Sequence, residues 1–198
     1  MRGLWSRIWP ILLVKGVIVI IFLLFDIRSR VTVDAGAPPL ATQAASGASH
    51  RKSVVLAADV IAHFEGLRTE PYRDGPGVSV CYGHQLSNSP SARLDHWESK
   101  TEQECRELLM SDVMRAYEAV HDSLDQSLTH HQSAALTSFV FNEGTGAWHR
   151  STLRARVRAG DFSHVPAEFR RLVYSYGRRV EVLVRRREAE IELWLGRL

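Results

Sequence analysis

Glu65 and Asp74 are two carboxylates, the second following the first by nine residues; after the turn Gly75-Pro76-Gly77 comes a hydroxyl, Ser79, in Ser79-Val80-Cys81-Tyr82-Gly83-His84. Cleaving a glycosidic bond needs such a pair in unlike surroundings: one carboxylic acid to protonate the leaving oxygen, one carboxylate to prepare a water. Ala57, Val60, Ile61 and Phe64 recur at helical spacing and Gly66 is placed as a C-cap, so Glu65 falls at a helix C-terminus. The partial negative charge of a helix end, with burial beside Phe64, disfavours ionisation there and makes Glu65 the candidate general acid. Asp74 lies next to Arg73 in a polar turn, where an ionised carboxylate is comfortable. A Glu at a helix end and an Asp in a turn are also ordinary solvated residues. The pair alone does not separate the two readings.

The longer segment does. His63-Phe-Glu-Gly-Leu-Arg-Thr-Glu-Pro-Tyr-Arg-Asp-Gly-Pro-Gly-Val-Ser-Val-Cys-Tyr-Gly-His84 resembles the active-site stretch of the phage-type lysozymes, glycoside hydrolase family 24. The likeness continues in the family's order through Gln132-Ser-Ala-Ala-Leu-Thr-Ser-Phe-Val-Phe-Asn-Glu-Gly-Thr-Gly146, Ser151-Thr152-Leu153, Ala159-Gly160-Asp161, Glu168-Phe169, Val173-Tyr174 and Leu183-Val-Arg-Arg-Arg-Glu-Ala-Glu190. It spans residues 53 to 197, and ordered matches of this kind are far harder to produce by chance than one motif. The resemblance implies an enzyme that hydrolyses the β-1,4 bond between N-acetylmuramic acid and N-acetylglucosamine in peptidoglycan to lyse a host cell. Glu65 would be the acid, with Asp74 and Ser79 positioning the water; no metal or cofactor is implied. Asn142 matches a polar groove position and is expected either to bond a sugar or to cap a helix before Gly144. One of Arg185, Arg186 and Arg187 is expected to pair with Glu65, and the sequence does not say which. Cys81 and Cys105 occupy positions where related endolysins carry a disulfide. Such a bridge would contribute about 3 kcal/mol and would persist in the periplasm rather than the cytosol.

Three departures from the family pattern bear on competence. Ser79 stands where the family has Thr; its hydroxyl can hold a water but lacks the stiffening methyl. The turn before it is one residue shorter than usual. Strand side chains alternate, so Ser79 and Cys81 share one face while Val78, Val80 and Tyr82 share the other, and a deletion confined to the turn leaves that register intact. Glu181-Val182-Leu183 replaces the usual Pro-Gly-Leu ahead of the Arg cluster.

The elements that must carry these residues read as an α+β, mainly α pattern. Thr101-Glu-Gln-Glu104 is a capping box, and Cys105, Leu108, Leu109, Val113, Ala116 and Val120 continue at helical spacing into one long helix able to join two lobes. Before it lies a small turn-rich β region, from Glu70 to about Ser91; after it the sequence reads as helical to the C-terminus. Ala134 to Phe141 is apolar nearly all round, as in a buried core helix. Residues 53–198 are expected to form one lysozyme-like catalytic domain, large enough to bury a core.

Residues 1–30 read as a signal anchor. From Ile8 to Phe25 the chain is apolar except for Pro10 and Lys15, and 18 residues are at the short end of a membrane span. The nearest small-residue cleavage pattern, Ala35-Gly36-Ala37, is distant, which favours an uncleaved segment. The weakened span resembles that of lambdoid-phage signal-arrest-release endolysins, and the implied location is the host inner membrane with the catalytic domain in the periplasm, held there or released. Residues 31–52, rich in Ala, Gly, Ser, Thr and Pro, read as a flexible linker.

Charge is uneven. Residues 51–143 carry 8 basic and 14 acidic side chains, whereas 144–198 carry 12 basic and 6 acidic, so the C-terminal part is suited to an anionic wall. The arginine pairs also invite a nucleic-acid reading, but no zinc-finger spacing, phosphate loop or RNA motif accompanies them. The expected partners are therefore peptidoglycan and the inner membrane, with no nucleic acid, and the expected state is a monomer. Two rival functions remain at this level: a lytic transglycosylase using Glu65 alone, and a non-catalytic wall-binding protein.

Overall fold

The computed structural model describes residues 40–198; the apolar stretch Ile8–Phe25 lies outside them. Within the described residues no helix is long and apolar enough to cross a membrane. Residues 41–198 form one compact unit. Helix α1 (Leu40–Glu65) is followed by a three-stranded antiparallel sheet of β1 (Arg68–Asp74), β2 (Gly77–Cys81) and β3 (His84–Ser87), in that order. Then come α2 (Glu102–His121), α3 (His130–Glu143), α4 (Thr145–Arg150), α5 (Thr152–Arg158), α6 (Val165–Arg171), the hairpin β4 (Tyr174–Ser175) and β5 (Arg178–Arg179), and α7 (Glu181–Trp194). The mainly helical α+β class is as the sequence implies.

Helix α1 starts earlier than expected. Residues 40–52 belong to the segment read as flexible linker, yet they are helical. Ala41, Ala44 and Ala45 are among the best helix formers, so a small-residue composition serves a helix as well as a linker. Contact with α2 gives the segment something to fold against: the His50 and Tyr117 rings stack with centroids 4.3 Å apart, and Ser53 and Val54 are buried.

Helix α2 behaves as its sequence dictates. Thr101 Oγ1 accepts from Glu104 N (3.2 Å) and Glu104 Oε2 accepts from Thr101 N (2.7 Å). Cys105, Leu109, Val113, Ala116 and Val120 form its buried stripe. Twenty residues span about 30 Å, enough to run from the sheet to the helical core. Helix α3 is buried continuously from Ser133 to Val140 and is the axis of that core, with Phe139 packed edge-on against Trp148 and Phe169.

Beyond α2 the chain is not helical throughout. Tyr174 pairs with Arg179 and Ser175 with Arg178 around a two-residue loop, Tyr176-Gly177. Both loop residues have positive φ (47° and 74°), the requirement of a type I′ hairpin. The shortened β1–β2 connection is likewise a two-residue hairpin: Asp74 pairs with Gly77, Gly75 takes φ 53°, and Pro76 holds φ negative. Gly77 itself is pressed against β3, where an added Cβ would stand 2.2 Å from the Ser87 carbonyl oxygen.

Candidate active site

Glu65 is the last residue of α1. Gly66 N still donates to the Ala62 carbonyl (3.1 Å), and with φ at 69° Gly66 then turns the chain into β1. The Glu65 side chain is 27% exposed, and its Oε1 accepts from Arg186 Nη1 at 2.6 Å. Arg186 is 4% exposed in its side chain and lies over the Phe64 ring, 5.7 Å from its centroid. The other carboxylate oxygen, Oε2, faces Gly83, where an added Cβ would stand 3.7 Å away. Glycine there keeps the approach to that oxygen clear.

The sheet presents the second half of the site. Tyr72 lies directly opposite Ser79, and Asp74 opposite Gly77, so Tyr72, Asp74 and Ser79 share a face. Ser79 Oγ donates to Asp74 Oδ2 at 3.1 Å. Ser79 is buried while Asp74 is exposed. The Tyr72 phenol is held above its ordinary range first by burial, then by the negative charge of Asp74, with Glu65 adding to it and Arg68 opposing. Tyr72 is therefore within electrostatic reach of both carboxylates and remains a neutral hydroxyl at working pH. Sequence reasoning did not single it out, although its position two residues before Asp74 on one strand was a readable signal.

Strand β2 ends at Cys81, which is disulfide-bonded to Cys105 at the start of α2. Cys81 takes φ 61°, unusual for a residue with a Cβ. The chain then turns through Tyr82-Gly83 into His84, whose Nδ1 lies 2.9 Å from Asp112 Oδ2. Beside this turn a groove of about 490 Å³ runs between Gly83, His84 and Gln85 on one side and Phe141, Gly144 and Thr145 on the other.

Of the three candidate arginines, Arg186 is the one that meets Glu65. Arg187 is fully buried and reaches the end of α3, where Nη2 donates to Asn142 Oδ1 and to Glu143 Oε1 (2.7 Å). Arg185 points elsewhere, to a surface hollow with Asp59 and His63. Asn142 caps nothing: α3 closes at Gly144, whose N–H bonds the Val140 carbonyl. With its oxygen taken by Arg187, Asn142 keeps its amide N–H groups for other partners. Glu190, missed in the sequence, lies under all of this, fully buried between Arg186, Arg187 and Ser138. Its signal was present: Arg186, Arg187 and Glu190 fall three and four residues apart, in line with Ile191 and Trp194.

No group of His, Cys, Asp and Glu among the described residues could hold a metal ion. A larger hollow, about 810 Å³, is formed by α1 with His130 and His131; neither it nor the groove beside Gly83 is lined by Glu65 or Asp74. The chemistry open to two such carboxyls is proton donation by one and water activation by the other.

The phage lysozyme family model matches residues 62–190. The SAR-endolysin of Escherichia phage Mu is 35% identical over 135 residues, which is 68% of this chain and 75% of that protein. The SAR-endolysin of Enterobacteria phage PA-2 is 28% identical over 165 residues, 80% of this chain and 97% of that protein. Among solved structures, the muramidase domain of SpmX from Asticaccaulis excentricus superposes with a TM-score of 0.62 at 29% identity, covering 70% of this chain and 94% of that one. The endolysin from Escherichia coli O157:H7 phage FAHEc1 gives 0.62 at 25%, covering 72% and 92%.

Proposed function

The chain belongs to the phage lysozyme family, and we propose that it is an endolysin that cuts the β-1,4 bond between N-acetylmuramic acid and N-acetylglucosamine with Glu65 as general acid and Asp74 with Ser79 as the water-holding pair. The observation that carries this reading is the unlike support of the two carboxylates. Glu65 is fixed through Oε1 by Arg186, leaving Oε2 facing the open side of Gly83; Asp74 is solvent-exposed and keyed to Ser79. In the reaction Glu65 gives its proton to the glycosidic oxygen as the C1–O bond breaks. A water on Asp74 and Ser79 adds to C1 and passes a proton to Asp74; exchange with solvent restores both groups. Asn142, near the end of α3 with its oxygen held by Arg187, offers its amide N–H groups to a sugar or its acetamido group.

A turbidity assay on the full-length protein with purified peptidoglycan, followed by mass measurement of the products, tests the assignment. Muropeptides with free reducing ends are expected. Anhydro-sugar products with undiminished activity in Asp74→Asn would replace hydrolysis with the transglycosylase reaction, and binding without turnover would leave only a wall-binding protein.

The same reading extends to delivery. The segment 8–25 holds the chain in the host inner membrane, and the catalytic domain lies in the periplasm, where the Cys81–Cys105 bridge persists. Lys15 weakens the anchor, since a charged side chain at that depth costs about 3 kcal/mol on insertion scales. Lys15→Leu is expected to prolong membrane residence and delay lysis, read by fractionation before and after an uncoupler. A mature chain beginning near Ala37 would mean instead that the segment is cleaved.

A further inference from the structure

We propose that the tip of the β4–β5 hairpin is a second contact for peptidoglycan: Tyr176 stacks on a sugar ring of the glycan strand, and Arg178 takes a carboxylate of a peptide stem. This rests on peptidoglycan being the substrate and adds a holding point separate from the two carboxylates.

Tyr176 stands at the first central position of a type I′ turn, with φ at 47°. Asn, Asp or Gly is what such a position favours, because a left-handed backbone presses a Cβ toward the carbonyl oxygen that follows it. Packing does not repay the strain: Tyr176 is fully exposed, and Tyr174 in the same hairpin is exposed as well. An aromatic residue that neither suits its turn nor buries its ring costs the fold on both counts, and strain of that kind collects at ligand contacts. A phenol ring has a flat apolar face and a polar tip, which suits a pyranose with its C–H face and hydroxyl rim. Beside it, Arg179 is paired with Glu181 (3.1 Å), whereas Arg178 makes no ion pair among the described residues. A guanidinium left free in this way fits the carboxylates that end the peptide stems. With 12 basic and 6 acidic side chains in residues 144–198, the surroundings favour an anionic polymer. The stem of the hairpin ties it to the site. Val180 N donates to the Val173 carbonyl (2.9 Å), and the neighbouring Leu172 carbonyl accepts from Arg187 Nε (3.1 Å), the arginine that also holds Asn142. A strand gripped at the hairpin is thereby gripped on the frame that presents Asn142 and, through α7, Arg186 and Glu65.

The test is retention on purified sacculi, measured by sedimentation with the full-length protein in detergent and in a Glu65→Gln background that leaves the polymer whole. Tyr176→Asn gives the turn the Asn-Gly pair it prefers, so the thermal midpoint is expected to hold or rise while retention weakens about tenfold. Tyr176→Trp is expected to hold retention, since it keeps an aromatic face. Arg178→Gln is expected to lower it about threefold, the loss growing at low ionic strength. Undiminished retention in Tyr176→Asn would overturn the proposal. So would a midpoint several degrees lower in that variant, which would make Tyr176 a structural residue. Should Tyr176→Asn fail to fold, Arg178→Gln carries the comparison, and retention indifferent to it at low salt overturns the contact. Weaker association of Tyr176→Asn with phosphatidylethanolamine–phosphatidylglycerol vesicles, with sacculus binding unchanged, would assign the hairpin to the membrane instead. Retention needs no turnover, so a wild-type protein that binds sacculi through the hairpin yet releases no muropeptide would sink the endolysin reading and leave this contact standing.

Discussion

The two carboxylates of the site stand on parts of the molecule built in different ways. Glu65 ends a helix that packs into the large apolar core of α1, α2, α3 and α7, and behind it a fully buried ionic network holds Arg186 in place. Asp74 sits at the end of a tight hairpin whose own apolar cluster is small: Val80, Cys81 and Cys105 with a few half-buried neighbours. One hydroxyl, Ser79, holds Asp74, and one disulfide ties the sheet to α2. The proposed proton donor needs a defined electrostatic environment, and a rigid core supplies one. The proposed water-holding side needs room and solvent access, and a small stapled sheet provides both. Changes on the helical side should therefore act on proton donation, whereas changes on the sheet side should alter geometry and local stability.

The largest expected effect lies on the helical side. Glu65→Gln removes the transferable proton while preserving shape, and lysis should fall by about 1,000-fold with the thermal midpoint nearly unchanged. A rate within tenfold of wild type would take the acid role away from Glu65. On the sheet side, Asp74→Asn should cost about 100-fold, because Ser79 can still bond the amide and part of the water site survives. Equal losses in the two variants would erase the proposed asymmetry.

Third comes the staple. Opening the Cys81–Cys105 bridge with Cys105→Ala and Cys81→Ala should cost about 3 kcal/mol, as expected for a closed loop of this length. The loss should be uneven. Amide exchange should rise in β1 to β3 while α3 and α7 keep their protection, since the main core does not include the bridge. Uniform loss of protection would show that sheet and core unfold as one unit.

How far these features were legible follows the same division. The end of α1 at Glu65 and the length of α2 were written locally, in Gly66 and in the Thr101–Glu104 capping box. The hairpin β4–β5 was not, because Tyr176 has to enter the left-handed region, which nothing in an aromatic residue announces. Residues 40–52 were misread because Ala and Ser serve helices and linkers alike, and contact with Tyr117 is what settles the matter. The choice of Arg186 over its neighbours depended on where α7 turns its apolar stripe. Counting back four residues from the buried Glu190, or seven from the buried Leu193, finds it. The cross-element partners Ser138 and Asn142 belong to α3 and have no local signature at all.

The smallest expected effect is at Ser79, and it asks how much room the sheet has. Ser79 is 2% exposed in a strand buried along its whole length, so Ser79→Thr must place a methyl against Tyr72 and its neighbours. A β-branched residue suits a strand and restricts the hydroxyl to fewer rotamers, which should favour the bond to Asp74. Added volume in a packed site works against this, by about 1 to 3 kcal/mol when nothing can move. Here something can, since Tyr72 is only half-buried and Asp74 is exposed. The expected result is activity kept or raised within about threefold, with a drop in thermal midpoint of only a few degrees for a cost near 1 kcal/mol. Measuring both separates the two regions once more. A large loss of activity without a loss of stability would mean that the two-residue turn at Gly75-Pro76 has moved the water away from Ser79, and that the sheet no longer holds it where a longer turn would.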